Sequence, residues 1–593
     1  MKSFYLYLLA FFIALPGMAQ RKSSVKWGQD FKLKKGSIDL KVIDSDKSGI
    51  YLQEEHLAMK SYYVFGASFR SSGTLVKMNA NLSEIYRHSY NKDLRGKEFE
   101  QFFPCAGDLF IIASAYHKGD KMLELFAAKV DKATGELSVR WKQIASFQQE
   151  RKNDKVRFKL AYNADSTKMM LVSSIQGKER NEYKIQEFDS KLKASKPIVI
   201  SNEFEAKKYE LEDVLYTVNN KVVLVGRVYE YEEGKKKKDK FLDFSHYNIR
   251  VYDATGKQQT EINTSVNGRW LSSTKVLQEK NEDLVLAAFY SNEKKARRVD
   301  GLLVQRIDIN TGKVISTNDK AINAAMLSDG NNEDDDDKED DKQDKGDKVA
   351  RKGGKAKTEK NGKAAKEGTK ESKEEAEGFS RYMKFRNIFY TSDGGLMILA
   401  EAFHSYIYTT SYYSPGVNGA PGTMKTTTYQ VFQSDDLLMC KIAASGNIDW
   451  MHVLPKSQTE HYAAGSSSGR GTGLSLTTSY FSLLNYPYYS GFGALHSGHN
   501  LSIVLNDNPK NMDITAAGQK FKSVRAFGRS ECFLVSVDDV TGKITRKVLF
   551  NNRDIPTAMP GKGVVIGNDL YLVGRSDRAF GKTRIAAGKI SVK

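Results

Sequence analysis

Apolar residues along this chain come in short runs, each introduced by a polar pair and most of them ended by a small residue. The runs are 109–115, 169–174, 222–226, 284–288, 396–400, 501–505 and 570–574, with a weaker copy at 50–53. Runs of this length between turn-forming residues predict strands buried on both faces. A second pattern follows each run: a strand, a tight turn, another strand. Its copies at 129–139, 250–260, 306–316 and 536–546 carry an Asp two or three residues before Thr-Gly, and looser copies stand at 77–86, 188–195, 441–450 and 586–591. The Asp carboxylate can accept the turn's own N–H groups, and Gly supplies a positive φ, so these are hairpins. No stretch sustains a helical period.

Eight apolar strands, each with its own hairpin turn, recur at about fifty to sixty residues. One supersecondary unit repeated at that period cannot bury both faces alone, but it can when copies are stacked radially. The chain therefore resembles the β-propeller class as a whole: all-β, with eight blades, seven being the alternative. A tandem of β-sandwiches is the competing architecture. The resemblance is to no single family. Gly-His and Trp-Asp pairs of the WD40 type are absent, the four Trp residues are too few for a quinoprotein propeller, and no sialidase Asp box occurs. The last copy stops just after its turn, so spare strand-like sequence at 25–40 is expected to supply the missing outer strand and close the ring, removing open edges.

The units divide as blades one to five over 20–326, an insertion over 327–380, and blades six to eight over 381–593. Antiparallel strands put the short Thr-Gly turns at one end. The long insertions at 227–247, 320–380, 402–436, 456–490 and 506–530 all fall at the other end. One face is predicted plain and the other decorated with loops, where binding usually resides. Two of these insertions are rich in Tyr, Ser, Thr and Gly, a composition suited to contact surfaces. They make Tyr406, Tyr408, Tyr412, Tyr413, Arg470, Tyr486, Tyr488 and Tyr489 the candidate binding residues.

Residues 1–19 read as a secretory signal: Lys2, an apolar run from Phe4 to Leu15, and small residues at Gly17 and Ala19. Export to the periplasm, cell surface or medium follows, with no transmembrane segment after cleavage. Lys and Arg number 91 against 72 Asp and Glu, a formal charge of +19. The low-complexity part of the insertion, 331–378, is net acidic and almost without apolar residues, so it is expected to be disordered. The positive excess thus lies on the folded part and favours an acidic partner, an anionic glycan or an envelope protein. No nucleic-acid module is recognised, and nucleic acid is the weakest partner.

Chemistry is not legible as a motif. Asp44, Asp46, Gly49 and Glu55 have calcium-loop spacing but occupy the place of a turn before a strand. Gly469 to Gly473 lacks the elements of a phosphate loop. Five of nine histidines fall between His404 and His499, without metal-site spacing. Cys105, Cys440 and Cys532 form no framework, although one pair is possible. No cofactor or metal is implied and catalytic residues stay unknown. The sequence favours an exported binding or scaffolding module of the bacterial envelope. The alternative is an enzyme acting on polysaccharide or glycoconjugate in the propeller funnel.

Overall fold

The computed structural model describes residues 23–592 apart from 34–36, 63–65, 149–154, 164–165, 177–180, 203, 206, 218, 232–233, 235–241, 265–268, 280–282, 294–297, 323–378, 381, 415–422, 469–486 and 577–583. The signal segment, the charged insertion, Arg470 and Tyr486 therefore lie outside the described residues.

Each apolar run is the second strand of a four-stranded antiparallel meander, and eight such sheets occur among the described residues. In chain order they occupy 37–89, 98–148, 155–202, 209–264, 270–321, 383–454, 492–551 and 564–592. The run Leu284–Ser291 is buried at every position. It shows no inside-outside alternation because both of its faces meet a neighbouring sheet. Eight apolar clusters fill the gaps between consecutive sheets, and the one containing Leu40, Val42, Tyr571 and Val573 joins the eighth sheet to the first. The fold is a closed β-propeller.

The ring closes through Ser23–Trp27, paired antiparallel with Arg584–Val592. The closing strand is shorter and earlier than the span 25–40, because Ser37–Asp46 is already the first strand of the first sheet. Trp27 packs edge-on against Phe550 at 5.4 Å, which ties the seam to the seventh sheet.

The Thr-Gly turns stack the ring. Asp253 Oδ1 accepts the N–H groups of Thr255 (2.8 Å) and Lys257 (3.1 Å), and Asp308 Oδ1 that of Asn310 (2.8 Å). Gly256, Gly312 and Gly542 take φ of +85°, +70° and +70°. Glycine is needed there twice over. A Cβ on Gly312 would meet Thr260 at 2.4 Å, and one on Gly542 would meet His452 at 2.6 Å, so each turn rests on the outer strand of the preceding sheet.

Two of the predicted loops are strands. Leu396–Ser414 and Thr423–Ile442 continue as one long hairpin past the rim, and Gln458–Ser468 adds a third strand to it. The Tyr- and Thr-rich composition fits a pleated surface as well as it fits a loop. Pairing on both sides of the central strand then satisfies its backbone groups. The insertion at 227–247 likewise extends a hairpin, Val222–Tyr231 with Leu242–Tyr252. Cys105, Cys440 and Cys532 are buried, each in a strand, and no disulfide joins them. Burial pushes the thiols of Cys440, to about 12, and Cys532 upward.

Candidate functional site

The decorated face holds a cavity of about 560 Å³ over the sixth to eighth sheets. Its walls come from four separate connections: 456–490, which gives the strand Gln458–Ser468 and Tyr489, then 506–530, the segment around 552–557, and the segment around 575–584. Beneath it runs a continuous polar floor. Lys456 Nζ donates to Glu401 Oε1 (2.7 Å), the Ser434 carbonyl (2.9 Å) and Gln458 Oε1 (3.3 Å). Gln458 Nε2 donates to the Asn506 carbonyl at 2.6 Å, and Asn506 Oδ1 accepts from Asn552 Nδ2 at 2.9 Å. Asn552 in turn donates to Ser530 Oγ at 2.9 Å. Lys456 and Glu401 are almost wholly buried, and Arg386 Nε also donates to Glu401 at 2.8 Å. A satisfied buried network of this kind fixes the connections relative to one another.

Glu460 sits at the cavity wall, 4% exposed. Its carboxylate accepts the N–H groups of Tyr488 (3.0 Å), Tyr489 (2.7 Å) and Ser490, and the Tyr462 hydroxyl donates to it as well. Burial, followed by the Glu460 charge, holds the Tyr462 phenol far above its ordinary range. Glu460 is thus spent on shaping the site. What faces the cavity is cationic: Arg525, Arg553, Arg575 and Arg584 line it. Of these, Arg584 pairs with Asp30 at 2.7 Å. Like charges gathered in one cleft attract anions to it.

The strand extension stands beside this cavity and carries an aromatic row. Tyr382 stacks on His404 at 3.9 Å, His404 lies 5.2 Å from Tyr406, and Tyr406 lies 6.3 Å from Tyr408. Tyr408 stacks on its cross-strand partner Tyr429 at 5.1 Å and meets His461 edge-on at 6.4 Å. His461 itself lines the cavity, so the row ends at its lip. Tyr406, Tyr408 and Tyr413 are 38%, 36% and 62% exposed. Tyr412 lies on the same strand, paired with Lys425.

The other candidates fall elsewhere. Tyr488 is buried, with Lys562 Nζ 4.1 Å from its ring centre. Tyr489 lines the cavity and donates its hydroxyl to the Arg575 carbonyl at 3.1 Å. His496 and His499 both contact Asp539, at 2.8 and 3.1 Å, beside a Thr-Gly turn on the plain face. They do not converge with His404 and His461. Among the described residues no group of three His, Cys, Asp or Glu side chains is placed to hold a metal ion. No helix among them is long and apolar enough to cross a membrane. The four arginines and Glu460 escaped sequence reading, since each stands alone in a different connection without a spacing to mark it.

No protein-family model matches the chain, and no curated protein does. Solved structures do. The polysaccharide lyase Uly1 is 10% identical, covering 96% of this chain and 99% of its own, at a TM-score of 0.33. An α-L-arabinanase from Penicillium chrysogenum, complexed with arabinobiose, is 9% identical over 50% of this chain and 97% of its own, at 0.28. An apocarotenoid oxygenase mutant from Synechocystis is 9% identical over 72% of this chain and 91% of its own, at 0.27.

Proposed function

We propose that this propeller binds an acidic polysaccharide on its decorated face, outside the cytoplasm of a bacterium, as an exported component of the envelope or its surroundings. The observation that carries the reading is the cavity lined by Arg525, Arg553, Arg575 and Arg584, whose one lining carboxylate among the described residues, Glu460, is already taken up by backbone N–H groups and Tyr462. Guanidinium groups match carboxylate and sulfate geometry through paired N–H donors. The row from Tyr382 to His461 offers ring faces on which successive sugars can lie before the chain enters the cavity. Neutral stacking along the row and charge pairing in the cavity together select a polymer with acidic groups.

The test is affinity electrophoresis of the chain from Gln20 onward through gels holding carboxylated, sulfated or neutral polysaccharide. Retardation by an acidic polymer, weakened by salt and lost in the double variant Arg525→Ala, Arg553→Ala, is the expected result. Equal retardation by neutral polymer, unchanged in the double variant, would sink the reading.

A second reading is turnover of the same polymer. It rests on His461 at the cavity lip beside the arginines. A base at that lip would take the proton next to a sugar carboxylate whose charge the guanidinium groups offset. The carbon–oxygen bond to the leaving sugar would then break as a carbon–carbon double bond forms, and the oxygen would leave as an alcohol on taking a proton back from the His461 imidazolium or from water. Ultraviolet absorbance of the unsaturated product measures it. No absorbance with any acidic polymer that binds leaves binding alone as the function.

A further inference from the structure

We infer that the gap between the third and fourth sheets is a separate binding site for a small organic carboxylate, anchored by Arg250. The gap is a cavity of about 540 Å³ with Val199, Ile200, Phe204, Arg250, Tyr252 and Glu261 on its walls. None of these belongs to the cavity of the decorated face. Along Leu242–Tyr252 alternate residues point to opposite sides. Tyr247, Ile249 and Val251 enter the cluster with the fifth sheet, while Tyr252 enters the cluster with the third. Arg250 shares the side of Tyr252 and is 3% exposed.

A guanidinium this buried is normally paired, because an uncompensated charge in the interior is costly. Arg250 has no carboxylate partner among the described residues: its Nε and Nη2 make no well-directed hydrogen bond there, and the polar group it meets is the Tyr209 hydroxyl. These two nitrogens form the edge that grips a carboxylate with two parallel bonds. The same chain uses that edge elsewhere, where Arg227 Nε and Nη2 donate to Glu212 at 2.8 and 3.3 Å. Glu261 stands directly opposite Arg250 in the strand register, yet its carboxylate accepts from Asn248 Nδ2 (2.7 Å) and Gln258 Nε2 (3.1 Å) instead. Among the described residues the Nε–Nη2 edge of Arg250 is therefore left open to a ligand.

The surroundings set the ligand's class. The rings of Phe204, Tyr209 and Tyr252 lie 5.4, 5.1 and 6.0 Å from the guanidinium carbon and hold it in place. With Val199 and Ile200 they give the site apolar walls that suit a carbon skeleton or ring. Glu261 on the wall opposes a second negative charge, which selects a monoanionic carboxylate over phosphate.

The experiment titrates the chain from Gln20 onward with benzoate, acetate and inorganic phosphate, by calorimetry and thermal melting. Benzoate is expected to bind with one-to-one stoichiometry and raise the melting temperature, acetate to bind more weakly, and phosphate to give no shift. Arg250→Met is expected to weaken benzoate at least tenfold while melting, without ligand, no lower than the parent. Arg250→Lys keeps the charge, loses the two-pronged edge, and is expected to weaken benzoate to a similar degree. It decides the matter if the Met variant fails to fold. The proposal is overturned if the unaltered chain binds neither carboxylate, if phosphate binds more tightly than benzoate, or if the substituted chains bind benzoate as the parent does.

Discussion

The two faces of the propeller are built from the same hairpins and solve opposite problems. On the plain face each Thr-Gly turn binds its own Asp and rests on the sheet before it, so the contacts are local and repeated. On the decorated face the site is assembled once. Lys456 with Gln458, Asn506 and Asn552 come from three stretches far apart in the chain and meet in one network. A repeated turn tolerates damage to one copy because its neighbours still pack, whereas a network made once has no second copy to carry the load.

The largest effect should come from breaking the network. Lys456→Met leaves the buried Glu401 with Arg386 as its one cationic partner among the described residues, and a loss of about 3–5 kcal/mol is expected from denaturant melts. A loss below about 1 kcal/mol would mean that the floor is not a unit. Next come the turns. Gly542→Ala meets His452 and keeps a positive φ, so about 3 kcal/mol is expected. Gly518→Ala has the same kind of φ, +78°, with open space around it, and should cost about 1–2 kcal/mol. Equal costs would show that the stacking contact contributes nothing.

pH separates the faces by sign. Burial is the main cause that raises the carboxyl of Asp435, beside Lys456, from 3.8 to about 7. Between those values the folded chain keeps a proton that the unfolded chain has released, so this group makes stability fall as pH rises through that window. Asp435→Asn should flatten the slope. On the plain face the turn bonds lower Asp253 and Asp308, chiefly the Thr255 hydroxyl for the first and the Asn310 N–H for the second. Their contribution is present above 3.8 and lost as pH falls through their lowered values. Asp253→Ala and Asp308→Ala should therefore reduce the loss on acidification and leave the slope above it untouched. The smallest change in stability is expected from Arg553→Ala, within about 0.5 kcal/mol, since it is exposed on the cavity rim. Its polysaccharide affinity should nonetheless fall about tenfold at low salt. A large stability change there would place Arg553 in the scaffold rather than the site.

The turns and the apolar runs were legible because each is a local rule: a positive φ needs Gly, a strand packed on both faces needs unbroken apolar residues. The period of those signals determined the all-β propeller, and the shortness of the last unit announced that an N-terminal strand would close the ring. Composition also marked where the chain departs from the repeat, in the Tyr- and Thr-rich insertions. Whether those insertions became loops or strands was decided only when Gln458–Ser468 found Thr423–Ile442 to pair with, since a strand needs a partner that local sequence does not name. The site was decided at the same level. Arg525, Arg553, Arg575 and Arg584 acquire a shared field, and Arg250 an unpaired edge, from neighbours that lie close in space and far along the chain. Electrostatics acts through distance, and only the closed ring of sheets sets those distances.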